Sequence, residues 1–124
     1  MARTILVVED NPAQAERVRW LLKGEGYQVQ LAANGRDGLQ LVQSSAPDLI
    51  MSDVGLPEMD GYTFCRAVKS AEATKRIPFV LLTKRKSPIE VVHGLEIWAD
   101  NFITKPFEDG YLLERVRRIK EQEA

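Results

Sequence analysis

The chain has 124 residues, 44% of them apolar and 28% charged, with a formal net charge of -1. That length holds one domain with a core of its own, and the near-neutral balance offers no electrostatic reason for nucleic-acid or membrane binding. No apolar run approaches the roughly 20 residues that span a bilayer, and the lone Cys65 excludes an internal disulfide, so a cytoplasmic domain without a signal peptide is expected.

Apolar β-rich runs alternate with longer segments of helical period, the pattern of βαβ units and a parallel sheet. The first strand is Thr4–Val8. A helix starts at Pro12 behind the N-cap Asn11, carries Val18, Leu21 and Leu22 to about Glu25, and stops at Gly26. Gln28–Ala32 alternates as a second strand, and Asn34 caps a second helix that carries Leu39, Leu41 and Val42 and ends before Pro47. Leu49–Asp53 reads as a buried central strand. The loop 54–61 contains Gly55, Pro57 and Gly61, residues suited to unusual backbone angles or fixed turns. A third helix, about residues 62–71, leads through a polar loop to Ile77-Pro78 and a fourth buried strand, Phe79–Thr83. Ser87 and Pro88 open a fourth helix that reaches about Trp98. The fifth strand holds Phe102 and Ile103. Lys105-Pro106 then turns into a last helix, about residues 108–121, with the apolar stripe Leu112, Val116 and Ile119. That stripe could continue into a longer helix beyond Ala124.

Five strands and five helices in strict alternation point to an α/β fold, a doubly wound (βα)5 three-layer sandwich around a five-stranded parallel sheet. Right-handed crossovers leave two common orders, and five strands favour the flavodoxin-like one, 2-1-3-4-5. Strands one and three then meet at the switch point, and the functional crevice lies outside the carboxyl ends of the strands. Charged residues collect at those ends: Glu9 and Asp10 after the first strand, Asp53 at the end of the third, Lys105 after the fifth. With neighbouring strands about 4.8 Å apart, Asp10 and Asp53 should lie roughly 5–7 Å from each other, with Glu9 close by.

Such crowding is costly. Two unit charges about 5 Å apart repel by about 3 kcal/mol at an effective dielectric near 20. Either the carboxyl groups take up protons or a cation binds among them; the bland alternative is a set of solvated carboxylates at strand ends. Hard oxygens without His or Cys favour Mg²⁺, Mn²⁺ or Ca²⁺ over zinc, and Mg²⁺ usually takes one or two carboxylates, waters and a phosphate oxygen.

Seven short pieces then stand in a specific order: Ile5-Leu6-Val7-Val8-Glu9-Asp10-Asn11, Pro47-Asp48-Leu49-Ile50-Met51-Ser52-Asp53, Leu56-Pro57-Glu58-Met59-Asp60-Gly61, Ile77-Pro78, Leu82-Thr83, Ala99-Asp100 and Lys105-Pro106-Phe107. In that order and spacing, over nearly the whole chain, they resemble a response-regulator receiver domain, the phospho-acceptor module of two-component signalling. The resemblance also implies the flavodoxin-like strand order and a single receiver domain over residues 1–124. It implies that Asp53 takes a phosphoryl group from a phosphohistidine on a sensor histidine kinase or phosphotransfer domain. Asp10 and Asp53 would bind Mg²⁺ (or Mn²⁺) directly, the backbone carbonyl of Gly55 would be a further ligand, and Glu9 would act through water. Lys105 would pair with one phosphoryl oxygen and the Thr83 hydroxyl with another, while the backbone N–H of Lys84 completes the cradle. Pro106 resembles the family's cis-proline, which would aim Lys105 into the pocket.

The resemblance implies a switch as well. Thr83 would move toward the phosphoryl group and Phe102 would turn inward behind it, working through packing because it has no hydroxyl; the other reading of Phe102 is an ordinary core residue. The face built by the fourth helix, the fifth strand and the last helix would bind an output partner or a second copy of the chain. Two positions depart from the family. Lys84 stands where a small residue is usual, so slower loss of the phosphoryl group is expected. Trp98 stands where glycine is common and either packs on its own helix or anchors a partner.

Cys65 reads as a small buried hydrophobe rather than a redox group, and His93 as an exposed residue without metal partners. Arg115, Arg117, Arg118 and Lys120 read as a solvated face at the negative end of the last helix. The chain is thus expected to be a signalling switch that catalyses only its own phosphoryl transfer and dephosphorylation. Three alternatives stand beside it: a phosphorylation-independent interaction domain of receiver shape, the receiver portion of a longer hybrid histidine kinase or multidomain regulator, and a flavodoxin-type flavin binder. The last suffers because the Glu9-Asp10 loop would repel a phosphate without a metal.

Overall fold

The computed structural model describes residues 3–83 and 101–123, and within them each apolar run expected as a strand is one. The strands are β1 (Thr4–Val8), β2 (Gln28–Ala32), β3 (Leu49–Asp53), β4 (Phe79–Thr83) and β5 (Asn101–Thr104). The helices are α1 (Pro12–Gly24), α2 (Gly35–Ser45), α3 (Gly61–Ser70) and α4 (Asp109–Glu123), the last being the fifth helix expected from the sequence. The fourth expected helix, with Ser87, His93 and Trp98, lies outside the described residues, as does Lys84. All strands pair in parallel in the order β2-β1-β3-β4-β5.

Successive strand side chains point to opposite faces, and here both faces are covered. Ile5, Val7, Leu49, Met51, Val80, Leu82 and Ile103 pack on one side against α1 and against Leu112, Val116 and Ile119 of α4. Leu6, Val8, Ile50, Phe79 and Leu81 pack on the other against Val42 of α2 and Phe64, Cys65 and Val68 of α3. The fold is therefore a three-layer sandwich, and Cys65 is a buried part of its second core. The Phe64 and Phe79 rings meet edge to face, 5.1 Å apart at 69°, which adds a directional contact where α3 crosses β4.

Polar caps place the helix starts around the carboxyl end of the sheet. The Asn11 side chain accepts from Ala13 N and Gln14 N, the Asn34 side chain from Asp37 N, and Asp60 from Thr63 N at 2.8 Å. Each satisfies backbone donors that a helix leaves unpaired at its first turn. Asp60 as cap draws α3 forward by one residue, so the helix begins at Gly61 rather than Tyr62. Gly26, at φ 95°, turns the chain after α1. Ala46 takes the left-handed conformation, at φ 45°, to close α2. No helix among the described residues is long and apolar enough to cross a membrane.

Candidate functional site

Register decides which side chains meet at the switch point. Val8 of β1 is opposite Ser52 of β3, and Asp53 is opposite Leu82 of β4. The residues that follow β1 therefore stand beside the end of β3. Glu9 N donates to Ala32 O on β2 at 3.0 Å, which holds the chain straight for one residue more before α1 begins. On the other side, Thr83 pairs with Thr104, and Lys105 N donates to Thr83 O at 2.7 Å. That bond brings the start of the Lys105–Pro106 turn onto the end of β4; the peptide between the two residues is cis.

The outcome is a cluster of carboxylates around one ammonium. Oxygens of Glu9, Asp10 and Asp53 all lie within 4.8 Å of one another. Lys105 Nζ donates to Glu9 Oε1 at 2.9 Å, contacts Asp53 Oδ1, and donates to Gln14 Oε1 at 3.3 Å. Glu9 Oε2 accepts from Asn11 N at 3.2 Å. Glu9 is buried, Asp53 half-buried and Asp10 exposed. Burial pushes the Glu9 carboxyl above its usual range, a shift that its bonds to Lys105 and Asn11 only partly oppose. Burial also works to lower Lys105, but its bonds to Asp53 and Glu9 outweigh that, and the ammonium is held above its usual value.

When all four groups are ionised, three carboxylates face one ammonium and negative charge is in excess. No His or Cys joins the cluster among the described residues. Hard oxygen donors of this kind, with one member exposed to water, fit a small divalent cation that keeps part of its hydration shell. Glu9, Asp10, Asp53 and Lys105 are thus brought together as the strand-end argument requires.

Other expected site residues fall around this cluster. Thr83 is buried at the end of β4, next to β3 and β5. Gly55 follows β3 with open space about its α carbon and no positive φ. The residue of this loop with left-handed backbone is instead Glu58, at φ 65°. Phe102 is 38% exposed on the edge strand β5 and so is not an ordinary core residue. Arg117 and Arg118 are exposed and paired with Glu25 and Glu114, whereas Arg115 is half-buried.

One residue in contact with the cluster was not expected from the sequence. Gln14, in the first turn of α1, reaches Lys105. The available signal was its place: the first turn after a strand-end Glu-Asp pair borders the crevice of a doubly wound sheet.

Comparison with known proteins agrees with the fold. A model of the response regulator receiver domain matches residues 5–117. The transcriptional regulatory protein AfsQ1 of Streptomyces coelicolor is 39% identical over 116 residues, which is 94% of this chain and 50% of that protein. The chain thus spans about half the length of that curated relative. The receiver domain of a signal transduction histidine kinase from Syntrophus aciditrophicus is 46% identical with a TM-score of 0.88, covering 94% of this chain and 89% of that one. The receiver domain of the sensor histidine kinase PA1611 from Pseudomonas aeruginosa, solved with a magnesium ion coordinated in its active site cleft, is 29% identical with a TM-score of 0.86. That match covers 95% of this chain and 97% of that one.

Proposed function

Since the chain belongs to the response regulator receiver domain family, we propose that Asp53 is its phospho-acceptor, charged by a phosphohistidine on a sensor histidine kinase or phosphotransfer domain. The observation that carries this reading is the contact of the Asp53 carboxylate with Lys105, within 4.8 Å of the Glu9 and Asp10 oxygens. An Asp53 oxygen attacks phosphorus in line. The new P–O bond forms as the P–N bond breaks; the electron pair goes to that ring nitrogen, and a proton on the other ring nitrogen lets the imidazole leave neutral. A carboxylate is a weak nucleophile, so the rate comes from positioning and from neutralising charge on the phosphoryl oxygens.

Lys105 pairs with one phosphoryl oxygen, the Thr83 hydroxyl with another, and the backbone N–H of Lys84 with a third. Asp10 and Asp53 hold Mg²⁺ (or Mn²⁺), with the Gly55 carbonyl as a further ligand and Glu9 acting through water. When bound, the cation supplies positive charge opposite the developing phosphoryl charge. The magnesium in the cleft of the Pseudomonas receiver supports that choice.

Phosphorylation adds close to two negative charges. Thr83 follows the phosphoryl group, Phe102 turns in behind it, and the face of β5, α4 and the fourth expected helix changes its partner. That partner is an output protein or domain, or a second copy of the chain. The protein acts as a cytoplasmic switch, alone or within a longer regulator or hybrid kinase, and catalyses only its own phosphorylation and dephosphorylation.

Acetyl phosphate with Mg²⁺ tests the reading. Wild type should gain the mass of one phosphoryl group, and Asp53→Asn should gain none. No gain in wild type, and no spectral response to beryllofluoride, would leave a phosphorylation-independent interaction domain.

A further inference from the structure

Lys105 borders a cavity of about 420 Å³ between α1 and the turn joining β5 to α4, lined by Val7, Val18, Leu82 and Phe107 among others. A side chain beside open space lacks the packing contacts that fix core residues, so its position depends on its polar partners. Glu9 and Asp53 lie on the sheet side, and α1 supplies the rest. Gln14 accepts from Lys105 Nζ at 3.3 Å. Three residues on, Arg17 Nε donates to Asp109 Oδ1 at 3.1 Å, and its Nη2 contacts the same oxygen. Arg17 also donates to Phe107 O at 3.4 Å, and its guanidinium lies 5.5 Å from the Phe107 ring centroid.

Residues three apart share a helix face, so one face of α1 grips both the ammonium of Lys105 and the segment behind it. An ammonium has three N–H donors, and Glu9, Asp53 and Gln14 take one each. A neutral amide fills the third place without adding charge to a crowded acidic pocket. Resting on the phospho-acceptor reading above, we propose that Gln14 and Arg17 are positioning residues of the phosphoryl site. Gln14 aims the Lys105 ammonium at Asp53, and Arg17 anchors residues 107–109 so that the Lys105 turn keeps its place over the cavity. The Arg17 and Asp109 side chains are 50% and 52% exposed. Exposed ion pairs contribute little to stability, so this tie acts on geometry, and its loss shows in rate rather than in melting.

The test uses the whole chain, Mg²⁺ and phosphoramidate as donor. Gln14→Leu and Arg17→Met should each lower the phosphorylation rate at saturating donor about tenfold, as misplacement of a charged group does, with the thermal midpoint nearly unmoved. Asp109→Ala should lose part of the factor that Arg17→Met loses, and the Arg17→Met/Asp109→Ala double variant no more than Arg17→Met, because one contact is shared. The side-chain ¹⁵N-ammonium resonance of Lys105 should broaden in both Gln14→Leu and Arg17→Met. Wild-type rates in the two single variants, or losses that multiply in the double variant, overturn the proposal. Should Arg17→Met fail to fold, Gln14→Leu and Asp109→Ala carry the same comparison. If wild type itself takes no phosphoryl group, the phospho-acceptor reading fails instead. The Lys105 resonance then decides: broadening in the variants supports the positioning role, and an unchanged signal overturns it.

Discussion

Gly61 lies directly against the backbone of Asp53: a Cβ at position 61 would stand 2.2 Å from the Asp53 carbonyl oxygen and 2.8 Å from the Val54 α carbon. The Gly61 N–H also donates to Val54 O at 2.8 Å. With no side chain in the way, α3 starts immediately behind the end of β3, and the intervening loop folds tightly over it. Gly61→Ala should push α3 off that strand end and cost about 1–3 kcal/mol, the usual range for overpacking. Gly55→Ala, with nothing within 4 Å of the added atom and no positive φ, should cost less than about 0.5 kcal/mol. Urea denaturation of both variants measures the difference. Equal losses would mean that the loop yields, and that the close approach at Gly61 does not hold Asp53 in place.

β1, β3 and β4 were legible because burial on both faces turns a parallel strand into a near-continuous apolar run, and the edge strand β2 because its residues alternate. β1, β2, β3 and β4 begin and end where the runs do. Carboxylates at the ends of β1 and β3 were equally readable, since strand order alone makes those ends neighbours. Loop geometry was not. Glu58 takes φ 65°, although glycine is the residue suited to that region and two glycines stand nearby. The bonds Met59 N to Pro57 O, at 2.7 Å, and Gly61 N to Val54 O tighten the loop around Glu58. Local propensity therefore yields to closure of the loop. The Arg17–Asp109 tie spans 92 residues, and no local pattern announces a contact that exists only after α1 and α4 dock on the same face.

Glu9 gives the apo protein a pH dependence of definite sign. In EDTA the unfolded chain ionises Glu9 near its ordinary value of 4.5, while burial makes the folded protein keep that proton to higher pH. Between those two values the folded state holds more protons than the unfolded one, so stability falls as pH rises and then levels off. Glu9→Gln lacks this step. Urea midpoints taken between about pH 4 and 8 should show the variant gaining on wild type through the window, with a constant gap above it. Lys105 does not disturb the comparison. Its stabilisation is complete below its ordinary value of 10.5 and is lost only as pH climbs through its higher folded value. A gap that closes with rising pH would mean that pairing with Lys105 outweighs burial at Glu9.

A cation held as proposed among Glu9, Asp10 and Asp53 would compete with Lys105 for the same oxygens, which separates two roles the side chain could have. The Lys105, Glu9 and Asp53 side chains are 10%, 4% and 16% exposed, and the ammonium is the counter-ion of both carboxylates. Lys105→Met keeps the bulk and removes the charge. In EDTA it should lose about 2–4 kcal/mol, slightly less than breaking a fully buried pair, because Asp53 is partly hydrated. Mg²⁺ should then bind about tenfold more tightly than in wild type, since no ammonium has to be displaced and repulsion between carboxylates favours the ion. Calorimetric titration measures that affinity, and melting with and without Mg²⁺ measures the recovery, with about 2.7 kcal/mol expected at a hundredfold excess over the dissociation constant. Phosphorylation by acetyl phosphate should nevertheless fall, because the charge proposed to meet the phosphoryl oxygen is gone. Weaker Mg²⁺ binding in Lys105→Met would show instead that the lysine builds the cation site, and the excess negative charge of the cluster would need another counterweight.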